Sequence, residues 1–408
     1  MRTGRALDAL NFCLADVRDG LGPYLAIYLL TVHHWDQASI GVALAASSVA
    51  GLVAQTPGGA LVDAVRAKRA VIVAAAVLVT LSCLVVPFVP GFWPVVLTQA
   101  LAGIAHSVFA PAVAAITLGV AGRAAFTRRT GRNESFNHAG NAFAATAAGA
   151  LSYAFGPVVV FWLLAGMAVL SILAVLAIPP GSIDHAVARG MEAGDTAAHP
   201  SAWQALIGCR PLLVFAACVV LFHFANAAML PLVGQKLAER DASQATALMS
   251  VCIVTAQLVM VPMAMLVGAR ADRWGRKPLF LGGFAVLAAR GVLYTLSDDA
   301  YWLVAVQCLD GVGAGLFGAL FPIITADLTR GTGHFNVSLG AIATAQGIGA
   351  SLSQAAAGFV VVAAGYSTAF LALAGIAAAG GVLFCRAMPE TRAIVVAPTA
   401  RPAALAAD

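Results

Sequence analysis

The hydrophobic positions of this chain fall into long runs that short polar stretches separate. Each run is about as long as the roughly 20 apolar residues that a helix needs to cross a bilayer. Twelve runs can be counted, six on each side of one longer polar stretch. The predicted spans are 7–31, 38–61, 70–90, 93–119, 135–155, 157–179, 211–235, 246–268, 278–297, 300–326, 336–362 and 366–386.

This arrangement predicts an all-α membrane protein with twelve transmembrane helices in two six-helix bundles. We divide the chain into an N-terminal bundle at 1–179, a cytoplasmic linker at 180–210, a C-terminal bundle at 211–390 and a cytoplasmic tail at 391–408. Charged residues interrupt the first run where the apolar core of a cleavable signal peptide would be continuous. We therefore expect the first helix to remain in the mature protein.

Composition agrees with a lipid environment. The 408 residues are 61% hydrophobic and 10% charged, whereas a soluble domain carries about 25% charged residues. So few charges could not cover a surface that faces water. A soluble enzyme, a disordered protein and a DNA-binding module are thereby excluded.

The Lys and Arg residues predict the orientation. If both termini are cytoplasmic, nineteen of the 23 basic residues lie on that side, as the positive-inside rule requires. We predict a multi-pass protein of a bacterial cytoplasmic (inner) membrane with both termini in the cytoplasm. The net charge of +5 is then a topology signal, so no nucleic-acid partner is needed.

The two halves repeat each other at a constant offset of 208–209 residues. Asp63 after the second span matches Asp272 after the eighth, and Gln99 in the fourth span matches Gln307 in the tenth. Parallel six-span repeats related by an axis along the membrane normal are typical of one class of secondary transporter, which binds its substrate between the halves.

Two loops carry a recognisable motif. The loop after the eighth span reads Gly268-Ala-Arg-Ala-Asp272-Arg273-Trp-Gly275-Arg276-Lys277. It resembles the G-x-x-x-D-R-x-G-R-K/R signature of the major facilitator superfamily. The loop that begins at Gly59 is a degraded copy that keeps the glycine, the aspartate and the basic cluster.

The resemblance covers essentially the whole chain and implies the 6+6 fold of that superfamily. It also implies that the two loops form a conformational gate rather than a substrate site. The alternative, a basic loop that only sets topology, explains the charges but not the spacing of glycine and aspartate. The gating residues would be Gly59, Asp63, Arg66, Gly268, Asp272, Arg273 and Arg276.

Ionisable residues inside a membrane cost about 2.5–3.5 kcal/mol each on insertion scales, and they usually face a cavity or a partner. The first span has Asp16, Arg18 and Asp19. At 100° per residue the two carboxylates share one face and Arg18 points elsewhere. We predict that Asp16, Asp19 and Asp310 of the tenth span are proton-coupling candidates. The alternative is a buried ion-pair network that only fixes the helix.

In the superfamily, spans 1, 4, 7 and 10 line the central cavity and spans 2, 5, 8 and 11 flank it. We expect Glu134 to pair with nearby arginines, and Arg290 to reach the outer surface near Asp298 and Asp299. His223 has the alternative role of a packed core histidine. The predicted substrate-binding residues are Arg18, Tyr24, Gln99, His106, Asn137, His138, Asn141, His223, Asn226 and Gln307.

The subclass is a further hypothesis. Twelve-helix drug:proton antiporters of the superfamily usually carry R-x-x-Q-G in the fourth span, and the arginine position of that motif falls on Gln99 here. This departure argues against the usual proton relay of that family. Alternatively, Arg18 takes the role of the arginine that the motif has in the fourth span.

The leading prediction is a secondary active transporter that works by alternating access and exports a small organic molecule, of the multidrug type, in exchange for protons. One alternative is a proton-coupled importer or facilitator of an organic anion, with Arg18 and His106 as anion partners. Another is a non-transporting membrane receptor on the same fold.

Catalytic motifs are missing from the sequence: it has no Walker loop, no G-x-S-x-G, no H-E-x-x-H and no Cys/His metal spacing. We therefore expect neither an enzyme nor a protein with a cofactor or metal. The expected partners are a small-molecule substrate, protons and the lipid bilayer, and we expect a monomer.

Overall fold

The computed structural model describes residues 2–19, 21–191, 201–240 and 242–392. In the first half the helices are α1 (Arg2–Asp19), α2 (Gly22–Thr31), α3 (Gln37–Ala64), α4 (Lys68–Val85), α5 (Phe92–His106), α6 (Phe109–Phe155) and α7 (Val159–Leu176). The linker holds two 3-10 turns and the short helix α8 (Ala202–Gly208). The second half has α9 (Arg210–Asn226), α10 (Met229–Arg240), α11 (Ala242–Trp274), α12 (Arg276–Leu293), α13 (Ala300–Leu328) and α14 (Phe335–Ala387). Part of the predicted linker, 192–200, and the tail beyond residue 392 lie outside the described residues.

These helices make up twelve membrane spans. Eight helical segments of the described chain are long and apolar enough to cross a membrane. Two of them, 64 and 53 residues long, exceed one crossing, because even 53 helical residues extend about 80 Å. Each turns at a glycine with positive φ, Gly122 (67°) and Gly365 (82°), so each contains two spans. The pair α1–α2 and helix α12 supply the remaining spans, which confirms the predicted all-α 6+6 architecture.

The first and seventh spans are broken rather than continuous. Helix α1 ends at Asp19 and α2 begins at Gly22, with a proline in its first turn. In the repeat-related position, α9 ends at Asn226 and α10 begins at Met229, two residues before Pro231. Proline lacks the N–H that a continuous helix needs and clashes with the preceding turn. Such broken helices are tolerated in a membrane where the backbone is covered by protein or lines a cavity.

The two halves meet most closely between spans 2 and 11. A Cβ atom at Gly59 would overlap the carbonyl oxygen of Asn336, and one at Gly340 would overlap the carbonyl oxygen of Gln55. Between these points the hydroxyls of Thr56 and Thr344 are 3.1 Å apart and hydrogen-bonded. Only glycine permits such approach, so the two helices are in backbone contact.

Spans 5 and 8 form the symmetry-related contact. A Cβ atom on Gly131 would lie 2.6 Å from the Cα atom of Gly268, and one on Gly268 would lie 3.1 Å from the Cα atom of Gly131. The Ser135 hydroxyl also donates to the Val261 carbonyl oxygen across this contact, at 3.2 Å.

The described part of the linker packs against both halves at the same end of the bundle, which we call the linker side. The backbone N–H of Asp184 donates to the Gly119 oxygen at 3.1 Å, and that of Gly331 donates to the Gly190 oxygen at 2.8 Å. The Asn336 side-chain amide donates to the Ala188 oxygen at 3.0 Å. The linker side is therefore closed in this structure.

Substitution of Gly59 tests this interface. We expect Gly59→Ala to destabilise the closed protein by about 1–3 kcal/mol, the usual cost of overpacking, because the methyl group would overlap the backbone of span 11. The melting temperature of the detergent-purified protein should fall. Gly41→Ala is the matched control, since it lies on the same helix and nothing is within 4 Å of the position that its methyl group would take. Equal melting temperatures for the two variants would contradict the contact.

Candidate functional site

A cavity of about 60 Å³ lies between the two halves. Spans 1, 4 and 5 contribute one wall, and spans 10 and 11 contribute the other. Drug-sized ligands occupy pockets of about 300–1,000 Å³, whereas this space holds about two water molecules. In this structure the cavity is therefore too small for a drug-sized ligand. Its polar lining residues are Arg18, Thr117, Thr130, Asn133 and Glu134.

Two groups of opposite charge, Arg18 and Glu134, share this cavity. The Glu134 carboxylate accepts a weak hydrogen bond from the Asn137 amide at 3.5 Å. Its Oε2 atom lies 3.9 Å from the position that a Cβ would occupy on Gly318 of span 10. A carboxyl group at such a place can take up and release a proton, and the guanidinium can hold an anion.

The expected pairing of Glu134 with nearby arginines is wrong. Arg129 and Arg132 instead form ion pairs with Asp8 of α1, at 2.6 and 2.7 Å. Asp8 is buried, and two guanidinium groups satisfy its carboxylate, so span 1 is fixed to span 5. The sequence pattern did not single out Asp8. The signal that could have found it is an acidic residue near the start of a span, at the end of the bundle where the basic residues cluster.

His138 connects the halves beside this cavity. Its Nδ1 atom is 2.9 Å from Oε1 of Gln257 in span 8. Its Nε2 atom is buried without a hydrogen-bond partner among the described residues and lies 4.0 Å from where a Cβ on Gly318 would be. Asn141 follows on the same helix and is half-buried. His138 thus lies next to Gly318, which lines the cavity, and one of its ring nitrogens has no hydrogen-bond partner among the described residues.

Other predicted residues of the first half mainly hold span 1 in place. The His106 Nε2 atom is 3.1 Å from the Val17 carbonyl oxygen, and the Tyr24 hydroxyl donates to the Ala145 oxygen at 3.3 Å. Gln99 is buried, and its amide nitrogen has no hydrogen-bond partner among the described residues.

Asp16, the acidic candidate of span 1 whose side chain is described, does not line the cavity. Asp16 is half-buried and lies within electrostatic range of Tyr24 and of Cys83 in span 3. The side chain of Asp19 lies outside the described part of the chain. Of the two charged candidates of span 1 whose side chains are described, Asp16 and Arg18, it is Arg18 that borders the cavity.

A buried polar network occupies the second half. Arg290 of span 9 is 1% exposed and forms an ion pair with Asp310. Its guanidinium also donates to the Asn226 side-chain oxygen at 2.7 Å. Gln307 donates to Asp310 at 3.1 Å and accepts a hydrogen bond from Tyr294. Two predicted site residues, Asp310 and Asn226, are therefore partners of Arg290, and a third, Gln307, is a partner of Asp310.

This network corrects the expectation that Arg290 reaches outward. Arg290 points into the bundle, and the carboxylate of Asp298 pairs with Lys236 instead. The reason is electrostatic: a guanidinium buried in the bundle needs a carboxylate at contact distance, and Asp310 supplies it.

His223 is a packed aromatic residue in this structure. Its Nδ1 atom is 3.2 Å from the Val219 carbonyl oxygen of the preceding turn. Its ring meets Phe317 edge-on with the centroids 4.5 Å apart. These contacts agree with the alternative role as a core histidine.

The first signature loop caps the start of span 11. The Asp63 carboxylate accepts the backbone N–H of Val337 at 2.9 Å and the side-chain amide of Asn336 at 2.8 Å. A carboxylate at a helix N-terminus satisfies free N–H groups and complements the helix dipole. Asp63 therefore joins the halves beside the Gly59 contact, and Arg66 is exposed next to it.

Arg276 is the centre of the second signature loop. It is buried and pairs with Asp272 at 2.8 Å and with Asp327 of span 10 at 3.0 Å. Its guanidinium also donates to the Thr127 hydroxyl of span 5 at 3.1 Å. Both signature loops thus contact the opposite half at the linker side.

Glu390 completes the second loop. Its carboxylate accepts backbone N–H groups from Arg276 at 2.9 Å, from Lys277 at 3.1 Å and from Arg392 at 2.9 Å. Burial acts to raise the pKa of Glu390, but these three hydrogen bonds outweigh burial, so the pKa lies below its usual 4.5. The Arg392 side chain donates in turn to the Arg273 carbonyl oxygen at 2.7 Å, while the Arg273 side chain is exposed.

Comparison with known proteins places the chain among transporters. Its sequence matches the Major Facilitator Superfamily over residues 7–261 and 241–407. It is 62% identical over 392 residues to the uncharacterized MFS-type transporter Rv2456c of Mycobacterium tuberculosis (strain ATCC 25618 / H37Rv), in an alignment that covers 96% of this chain and 94% of that relative. A 63-residue stretch is 43% identical to the inner membrane transport protein YajR of Escherichia coli (strain K12), covering 15% and 13% of the two chains.

Solved structures share the fold at low sequence identity. The transporter FucP, crystallised in the outward conformation, superposes with a TM-score of 0.74 at 13% identity, over 95% of this chain and 99% of its own. The human organic anion transporter MFSD10 (TETRAN) superposes with a TM-score of 0.66 at 15% identity, over 94% and 97%.

The Arg290–Asp310 pair gives a stability test. Asp310→Asn should destabilise the protein by about 3–5 kcal/mol, because it leaves the Arg290 charge buried without its partner. The double variant Arg290→Met with Asp310→Leu should recover most of that loss. Thermal unfolding of the single and double variants measures the coupling. If Asp310→Asn kept full stability, the carboxylate would not be the structural partner of Arg290.

The pKa of Glu390 gives a pH test. Because the folded-state pKa is lowered, the carboxylate contributes stability above its unfolded pKa, and that contribution is lost as the pH falls through the folded value. We expect Glu390→Gln to melt below the wild type at pH 7, and the gap to narrow from about pH 5 downward. A gap that stayed constant down to about pH 3 would contradict this role.

Proposed function

Because this chain belongs to the major facilitator superfamily, a family of transporters and not of enzymes, we propose that it moves a small organic molecule across the membrane by proton-coupled alternating access. The supporting observation is the cavity between the halves, which both halves line and which contains Arg18 and Glu134. This is where a rocking-bundle transporter binds its cargo.

Closure of the linker side supports alternating access. Spans 2 and 11 and spans 5 and 8 touch through glycine pairs, and Asp63 caps the opposing half. These contacts can exist only while the two halves are tilted together at this end. We propose that the signature-loop residues are the gate and that substrate enters or leaves here when the glycine contacts separate. The linker side would be cytoplasmic.

For proton coupling we propose Glu134 as the main carrier. It borders the central cavity on a span that contacts the opposite half, and its hydrogen bond to Asn137 is long. Asp16 and Asp19 of span 1 stay candidates for the same role. Asp310 is less suited, because its carboxylate is already engaged by the ion pair with Arg290 and the hydrogen bond from Gln307.

The direction of transport we propose is efflux in exchange for protons, on the resemblance to twelve-helix antiporters. A specific observation favours the second candidate, uptake or facilitated passage of an organic anion: the cationic group in the cavity is Arg18, and guanidinium binds carboxylates and phosphates in a bidentate manner. The solved organic anion transporter MFSD10 has the same fold, which is compatible with that alternative.

Everted membrane vesicles with an imposed pH gradient test the proposal. We expect gradient-driven accumulation of one of two fluorescent probes, cationic ethidium for drug efflux or anionic fluorescein for an organic anion. Glu134→Gln should lower gradient-driven accumulation at least tenfold, because the carboxyl group that exchanges the proton is gone. Passive equilibration of the probe should persist.

Asp299→Asn is the matched control. Asp299 lies at an outer loop and caps α13 through the N–H of Trp302, and asparagine caps helices about as well as aspartate. This variant should keep wild-type accumulation. Full gradient-driven accumulation by Glu134→Gln would refute its role as proton carrier, and transport of a probe without any effect of the gradient would refute proton coupling.

A further inference from the structure

A second cavity, separate from the central one, lies on the linker side. Its volume is about 300 Å³. The loop after span 2 forms one wall and the linker forms the other. The chemistry-bearing residues that line it are Asp63, Arg66, Lys68, His185 and Arg189.

The charges around this cavity do not balance. Three cationic side chains, those of Arg66, Lys68 and Arg189, face one carboxylate, that of Asp63. The Asp63 oxygens already accept hydrogen bonds from the first residues of span 11. Lys68 is 1% exposed, and its ammonium donates to two carbonyl oxygens of the loop at 2.7 and 3.0 Å. The wall therefore carries a positive charge that its own residues leave uncompensated.

Two hydrogen-bonding atoms of the same wall are also unsatisfied. Nε of Arg189 and Nδ1 of His185 are buried, and neither has a hydrogen-bond partner among the described residues. Buried polar atoms of folded proteins are normally paired. The neighbouring Asp184 is not their hydrogen-bond partner; its Oδ1 atom accepts the backbone N–H groups of Ala186 and Val187 at 2.9 and 3.0 Å.

Burial and the nearby positive charge agree with an anion rather than a cation as the missing partner. Burial, followed by the charges of Lys68 and Arg66, lowers the pKa of His185, and Asp184 opposes them. The imidazole carries an N–H that it can donate. Together with the guanidinium of Arg189, it forms a donor set suited to a tetrahedral oxyanion, which accepts several hydrogen bonds at once.

We propose that this cavity binds a phosphate group, either of a soluble phosphate compound or of a lipid headgroup, and that the bound phosphate stabilises the closed linker side. The walls belong to the loop after span 2 and to the linker, which also holds span 11 through Asn336. Separation of these segments would dismantle the cavity. A ligand that binds only the closed form shifts the equilibrium toward it.

Binding of inorganic phosphate to the purified full-length protein in detergent tests the first source. We expect millimolar phosphate to raise the melting temperature above that in chloride of the same ionic strength, as binding to the folded state alone requires. Arg189→Gln and, independently, Arg66→Gln should weaken phosphate binding at least fivefold in a titration. Arg128→Gln, an exposed arginine on the linker side that does not line the cavity, should bind as the wild type does.

Lipid retention tests the second source. The protein is incorporated in nanodiscs of phosphatidylcholine with and without phosphatidylglycerol, and the lipid that remains bound after delipidation is counted by native mass spectrometry. Retention of phosphatidylglycerol that Arg189→Gln abolishes and Arg128→Gln preserves identifies a headgroup. A response to inorganic phosphate identifies a soluble ligand, and either result supports the proposal.

The proposal is overturned if the wild type and the Arg189→Gln and Arg66→Gln variants respond identically to both probes. The melting temperatures of the proteins without phosphate show whether each variant is folded. Because Arg189 and Arg66 lie on different walls, misfolding of one variant would leave the other as a test. Both readouts are binding measurements, so they do not depend on the transported substrate or on proton coupling.

Discussion

The closure of the linker side depends on direct backbone contact between the two halves. Gly59 and Gly340 lie where spans 2 and 11 touch, and any larger side chain would overlap a carbonyl oxygen of the opposite span. In lipid, apolar burial does not draw helices together, because the lipid chains are equally apolar; close packing of small residues and hydrogen bonds between helices do so. Packed interfaces of this kind are bistable, either closed or separated, as alternation between two states requires.

The lipid environment also limits where charged side chains can lie. Asp8 is neutralised by two arginines, Arg290 by Asp310, and Asp63 by the N-terminus of span 11. Each of these groups is costly to bury alone, so each holds two segments together. Arg18 and Glu134 are different because they border a cavity between the halves. At the candidate site, by contrast, charged side chains face a cavity instead of a partner in an ion pair.

Sequence reasoning reached the class of the protein but only part of the site. The paired loops around Asp63 and Asp272 indicated the superfamily, and the match over nearly the whole chain confirms it. Helical periodicity separated Arg18 from Asp16, yet it could not show that Glu134 faces the cavity or that Arg290 turns inward. Those outcomes depend on distant partners: Asp8 pairs with Arg129 and Arg132, 121 and 124 positions along the chain, and Asp310 pairs with Arg290, 20 positions away. The domain boundaries and the site roles stay predictions.

The sequence by itself determined the medium, the number of spans and the 6+6 repeat, because hydrophobic length and spacing are properties of the chain alone. Only the tertiary structure decided which polar groups pair with other groups of the protein and which face a cavity. The role of a buried charged group depends on the group that lies next to it. Which group that is depends on how helices far apart in the sequence pack together. The sequence suggests proton coupling for Asp310 and an arginine pair for Glu134; in the folded protein Asp310 pairs with Arg290 and Glu134 borders a cavity.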